Sequence, residues 1–342
     1  MRCVIALSLL LALAAGERLK ASTDCETRQC LIENLAQNPA RNLAFWQTSL
    51  NKPLAQRISD APAEVLELLR IDNRLNGYPS NVTSFRDPAA LSTLQKAFAE
   101  LPASVHDLIA DRLAGIFLVE NLGTSGYTND VFDSEGRESA GFVVLDSSLF
   151  SRKGNEWASH RDATAFRAEA GFEIRNIIAE PKSDSPLAAV QFLLVHELGH
   201  VASIGGNQHP SWNQELWSVD LQDYPFSALS WWIDNGQYRS RFDSGFTLRK
   251  RLVFYQIPRL SGRQMPEVLR QLKRTNFVSL YAASRPEEDF AESFAVYVHS
   301  EMMDKPFVIA VLVDGQVRER LGSCFRNTCK RKYELLKSLI GS

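Results

Sequence analysis

Residues 186–206 read Pro-Leu-Ala-Ala-Val-Gln-Phe-Leu-Leu-Val-His-Glu-Leu-Gly-His-Val-Ala-Ser-Ile-Gly-Gly. Residues 188–195 carry no helix breaker after Pro186, residues 201–204 continue the helix until Gly205-Gly206, and Ser185 stands at a natural N-cap with proline in the first helical position. The stretch predicts a helix from about 186 to 204, apolar on nearly all sides and hence buried, with His196, Glu197 and His200 among its few polar groups. Residues four apart on a helix are separated by about 40° around the axis and about 6 Å along it, so both imidazoles reach one point. The simpler alternative is a helix whose histidines merely hydrogen-bond within the core. Buried polar groups must find partners, and a metal satisfies all three at once. Neutral imidazoles bind zinc, and Glu197 is placed to take a proton from a metal-bound water.

The 342-residue chain has room for one large core or two modest ones. With 45% hydrophobic residues, 23% charged residues and a net charge of −2, nothing points to nucleic acid or an anionic membrane as partner. Arg2, the apolar or small run Val4–Ala15 and the small residues at Ala12-Leu13-Ala14 or Ala14-Ala15-Gly16 read as a secretory signal peptide over residues 1–16. About 12 apolar residues fall short of the roughly 20 a membrane span needs. The expected location is therefore secreted or periplasmic, with no stable membrane insertion after signal cleavage. Beyond Cys3 the cysteines form two equally spaced pairs, Cys25/Cys30 and Cys324/Cys329, which suit disulfides in an oxidising compartment. Three connectivities are open. Local loops are the simplest, cross-links would tie the termini together, and a four-cysteine zinc site would need the termini to meet.

From Cys25 to about Val119 apolar residues recur at three-to-four spacing, as in Val65, Leu66, Leu68 and Leu69 or Leu91, Leu94, Ala97 and Phe98. Residues 17–120 are accordingly expected to be a helical N-terminal region. Gly123 to Arg137 looks like a connection; residues 140–146 and 172–178 look like strands. Residues 121–342 then form the second unit, with an aromatic-rich insertion at about 207–262 containing Trp212, Trp217, Trp231 and Trp232. Packing explains those tryptophans better than an aromatic substrate groove. Helices are expected from about 286 to 302 and 326 to 340.

A catalytic zinc usually takes three protein ligands, so a third must follow. Ser203 and Gly206 stand where the extended two-histidine pattern needs a glycine and a third histidine, and His209 is three residues too late. Asp220 and Asp223 lack the glycine-rich context of an aspartate ligand. Downstream, Pro286 opens a helix on which Glu288 and Glu292 fall one turn apart on one face. One carboxylate suits the metal and the other suits orienting a ligating histidine. Glu287 and Asp289 read as a solvated acidic first turn, favourable at a helix N-terminus.

With Tyr281 seven residues before Glu288 and Phe290-Ala291-Glu292-Ser293-Phe294 after it, the chain resembles the glutamate-ligand zincins, and among them the anthrax lethal factor-type metallopeptidase domain. The resemblance rests on two short segments. It covers nothing in residues 17–120 and implies a zincin-like metallopeptidase domain with a small sheet and an active-site helix, so that with the helical N-terminal region the expected fold class is α+β. It further implies one Zn2+ held by His196, His200 and Glu288, with Glu197 as general base. Tyr281 would stabilise the oxyanion and Glu292 would stand behind the ligands. The expectation is a secreted zinc metalloendopeptidase acting on protein or peptide substrate, with the strand near Gly141–Leu145 pairing with extended substrate. The competing readings are a non-catalytic zinc-binding secreted module and a zinc amidase acting on cell-wall peptides.

Overall fold

The computed structural model describes residue 25 and residues 27–341. The expected signal segment, 1–16, lies outside them. In chain order the elements are α1 (Arg28–Gln37), α2 (Leu43–Leu50), β1 (Ile58–Ser59), α3 (Ala63–Asn76), β2 (Thr83–Ser84), α4 (Pro88–Ala99), α5 (Ala103–Ile109), β3 (Leu113–Glu120), β4 (Gly126–Phe132), β5 (Glu138–Asp146), α6 (Gly154–Ala163), β6 (Phe166–Arg167) and β7 (Phe172–Ile177). There follow α7 (Pro186–Ser203), β8 (Trp231–Asp234), β9 (Gln237–Ser240), β10 (Leu260–Ser261), α8 (Met265–Leu272), α9 (Pro286–Tyr297), β11 (Val308–Val313), β12 (Gln316–Gly322) and α10 (Lys330–Gly341). The fold is α+β.

The principal sheet runs β1-β3-β5-β4, with β2 also on β3; β3 is parallel to β1 and β5, and β4 is antiparallel to β5. Alternate residues of one strand feed two cores because successive side chains point to opposite faces. Phe117, Val119, Phe142 and Val144 pack with Trp46, Val65 and Leu68 of α2 and α3. Ile116, Leu118, Val143 and Leu145 pack with Leu94 of α4 and Leu194 of α7. A strand covered on both faces is apolar almost throughout. Residues 113–120 are therefore strand and not the end of the expected helical region: a short continuous apolar run has no period to separate helix from strand. A boundary at residue 120 therefore falls between sheet neighbours, since β3 and β5 pair from Leu113–Gly141 to Val119–Asp146.

The polar stretch read as a connection contains β4. Its residues Tyr127, Thr128, Asn129 and Asp130 are polar because the strand is an edge, half-buried and paired with β5 on one side. Beyond that ladder β4 has an isolated bridge, from Asn42 to Phe132. The expected role of the Gly141–Leu145 strand in pairing with substrate is corrected by this order: β5 is hydrogen-bonded to both β3 and β4, and the edge strand on its side of the sheet is β4.

Both disulfides are local, Cys25–Cys30 and Cys324–Cys329. The second occupies a tight turn, in which the Cys329 N–H donates to the Cys324 carbonyl at 3.0 Å, so the last helix starts at Lys330 instead of about 326. The helix expected over 286–302 ends at Tyr297 and continues as a π-helical turn, Val298–Met302. Among the described residues no helix is long and apolar enough to cross a membrane.

Candidate metal centre

Helix α7 spans 18 residues, and every side chain from Ala189 to Ser203 is buried. Ser185 holds the N-cap position without a side-chain cap bond; its carbonyl instead accepts from Ala188 and Gly154. Helix α9 crosses α7 at Gly199. A Cβ there would meet the Ala291 Cα at 3.1 Å and the Phe294 ring at 3.2 Å. The absence of a side chain at 199 and the small Ala291 let the backbones approach, and that approach brings Glu288 to the histidines.

The Glu288 Oε2 lies 3.2 Å from the His196 Nε2 and 3.6 Å from the His200 Nε2. One ligand atom from each residue lies within 4.8 Å of the others, and this is the one such His/Cys/Asp/Glu group among the described residues. Ligands about 2.05 Å from a tetrahedral zinc are about 3.3 Å apart. The buried Glu288 Oε2 has no well-directed hydrogen bond despite its two close nitrogens. The three atoms converge on a common point and not on one another. Two imidazoles and one carboxylate, whose orphaned oxygen faces them, could hold a metal ion.

Burial works against ionising Glu288, but His196 and His200 outweigh it and hold its carboxyl well below the usual range. Burial likewise opposes charge on His196, yet Glu288 and Glu292 push its pKa up to about 10.

Behind the ligands stands Glu292, whose Oε1 is 3.1 Å from the His196 Nδ1. It accepts two bonds from the buried Arg161 guanidinium, at 2.7 and 3.2 Å, and one from the Ser279 hydroxyl at 2.6 Å. Burial opposes its ionisation, but Arg161 and His196 lower its pKa to about 2. Arg161 comes from α6; its Nε donates to Asp162, which also accepts from Asn176 of β7. A chain of polar groups therefore links β7, which pairs with β11, to His196. Arg161 and Ser279 carry no local motif, so sequence reasoning missed both.

On the other side, the Glu197 Oε2 and the Glu197 carbonyl lie 2.9 and 3.0 Å from the Thr128 hydroxyl of β4, which has one proton to donate. Burial raises the Glu197 carboxyl above its ordinary value, while His196, His200 and Thr128 pull it back. The ring of Tyr281 lies 5.8 Å from the His196 imidazole, with the Arg161 guanidinium 5.3 Å from its centroid. Burial first, then Glu288, push its phenol well above the ordinary value, so Tyr281 is a donor.

The other candidates went elsewhere. His209 is 2.9 Å from the Ser203 hydroxyl and 2.8 Å from the Pro210 carbonyl. Asp220 caps a short turn at Gln222, and neither it nor Asp223 joins the metal group. The acidic first turn of α9 is not solvated: Glu287 is 4% exposed and Asp289 is fully buried. Asp289 pairs with the fully buried Lys332 of α10 and accepts from the Trp231 indole at 3.0 Å. Trp231 is thus a packing residue, whereas Trp212 lies against His200, ring centroids 5.0 Å apart. Comparison with protein-family models, with curated proteins and with solved structures returns no match to this chain.

Proposed function

We propose that the chain is an exported zinc-dependent metallopeptidase. One observation carries the reading: His196, His200 and Glu288 converge around a point while Glu197 is held beside them by Thr128. The resemblance to the glutamate-ligand zincins supports it, and the two disulfides suit export. A zinc ion held by His196, His200 and Glu288 would supply Lewis-acid polarisation of the scissile carbonyl and a water of lowered pKa. Glu197, held beside the ligands by Thr128, is the carboxylate that would accept a proton from the attacking water and return it to the leaving amine. The Tyr281 hydroxyl, protonated at any working pH, donates to the developing oxyanion. Glu292, fixed by Arg161 and Ser279, orients His196. An extended substrate pairs with the outer edge of β4, the strand that carries Thr128.

The test is cleavage of an unfolded polypeptide by the zinc-loaded chain, with and without a chelator and after Glu197→Gln. Cleavage that persists with chelator or in the variant refutes the reading. Stoichiometric zinc with no turnover on any peptide or cell-wall peptide would instead favour a binding module.

A further inference from the structure

The segment that follows α7 returns across the site. Gly205, at φ +67°, and Gly206 form a permissive joint at the helix end. The next residues are tied down at several points. The Gln208 carbonyl accepts from the Ser227 N–H and hydroxyl at 3.1 and 3.0 Å, and His209 reaches Ser203. The Ser211 hydroxyl and the Asn213 amide, the latter at 2.8 Å, both donate to Glu138 at the start of β5. Gln214 accepts from the Tyr224 hydroxyl at 3.1 Å. Between the Glu138 anchors, Trp212 rests on the ligand His200. The segment thus runs from the end of α7 to the β4–β5 edge with an indole over one metal ligand.

This closure is imperfectly satisfied. Within the segment the Gln208 Oε1 is buried without a partner. Burying a polar atom without a partner raises the energy of the closed arrangement relative to one in which water reaches it. A closed form with an unsatisfied group beside a glycine joint is suited to opening.

We infer that residues 208–214 are an autoinhibitory strap: latched to Glu138 through Ser211 and Asn213, it keeps Trp212 on His200 and must swing away on Gly205-Gly206 before a polypeptide reaches the metal side. The inference rests on the metal-site reading.

The test uses the full chain loaded with zinc. Transfer of zinc to a chromogenic chelator is timed in the wild type, in the double variant Ser211→Ala/Asn213→Ala, and in Trp212→Ala. Loss of the latch or the indole should speed transfer about tenfold, the scale of one lost hydrogen bond. Equal rates in all three overturn the strap. Should Trp212→Ala not fold, amide hydrogen exchange of the wild type decides independently: residues 208–214 are to exchange at least about tenfold faster than residues 189–203. Equal protection overturns the inference. Cleavage of an unfolded polypeptide should rise in the latch variant and stay absent when Glu197→Gln is added. Faster zinc transfer with no cleavage in any form retains the strap and refutes the peptidase proposal.

Discussion

Helices α7 and α9 supply the candidate site in opposite ways. On α7 the spacing of His196, Glu197 and His200 is enough to aim them, because a buried helix leaves each side chain one direction. On α9 three consecutive acids meet three different fates: Glu287 is buried with an unpartnered oxygen, Glu288 points at the histidines, and Asp289 pairs with Lys332. Local spacing aims a side chain when the helix is enclosed by its own core. Remote partners aim it when the charges on one turn must each be neutralised separately.

The sharpest way to test this contrast is on α7. Glu197→Gln keeps shape and zinc content but removes the base, so turnover should fall about 10²–10⁴-fold with the metal still bound; a fall accompanied by zinc loss would mean that Glu197 serves the fold. On α9, Lys332→Met leaves the buried Asp289 with the Trp231 indole but without its counter-charge. Breaking a buried pair from one side costs about 3–5 kcal/mol, read as a lower denaturation midpoint; Asp289→Asn added to Lys332→Met should recover much of it. Removing the fork behind Glu292 with Arg161→Met should weaken zinc binding about 10–100-fold in a competition titration. Arg161→Lys should restore only part of that, having charge without the bidentate geometry. Gly199→Ala tests the contact between the helices: a Cβ 3.1 Å from the Ala291 Cα should destabilise by about 1–3 kcal/mol.

The smallest expected effect depends on pH and lies on β4. Burial, then Glu138, raise the Asp130 carboxyl from 3.8 to about 8, against the opposing pull of Arg41 and an Asn213 hydrogen bond. Asp72 faces Arg41 from α3. Between these two values the native chain holds a proton that the unfolded chain has lost, so the stability from protonated Asp130 declines as pH rises and is gone above about 8. Thermal unfolding at pH 5 and pH 9 should show wild type losing stability relative to Asp130→Asn. Since Asp130 is half-buried, solvent screening keeps the difference modest. An unchanged difference would show that Asp130 ionises normally.

Legibility followed the range of the interactions. The bounds of α7 were readable to within a residue, and the start of α9 at Pro286 was readable because proline and capping act locally. Strand β3 was hidden because burial on both faces erases the period, and β4 because an edge strand keeps polar residues. Thr128, Arg161, Ser279 and Trp212 were invisible as site residues for a related reason. None shares a helical turn or a motif with His196 or Glu288, and each acts through a contact made by folding.

The amino-acid order by itself determined the histidine pair with its carboxylate, the helix that carries them and the apolar character that buries it, because helical periodicity operates over four residues. Tertiary structure alone decided which carboxylate of 287–292 meets the imidazoles, which strand lies at the edge of the sheet, and that Trp212 lies over His200. Those outcomes depend on how closely α9 approaches Gly199 and on which buried charge Arg161 and Lys332 each neutralise.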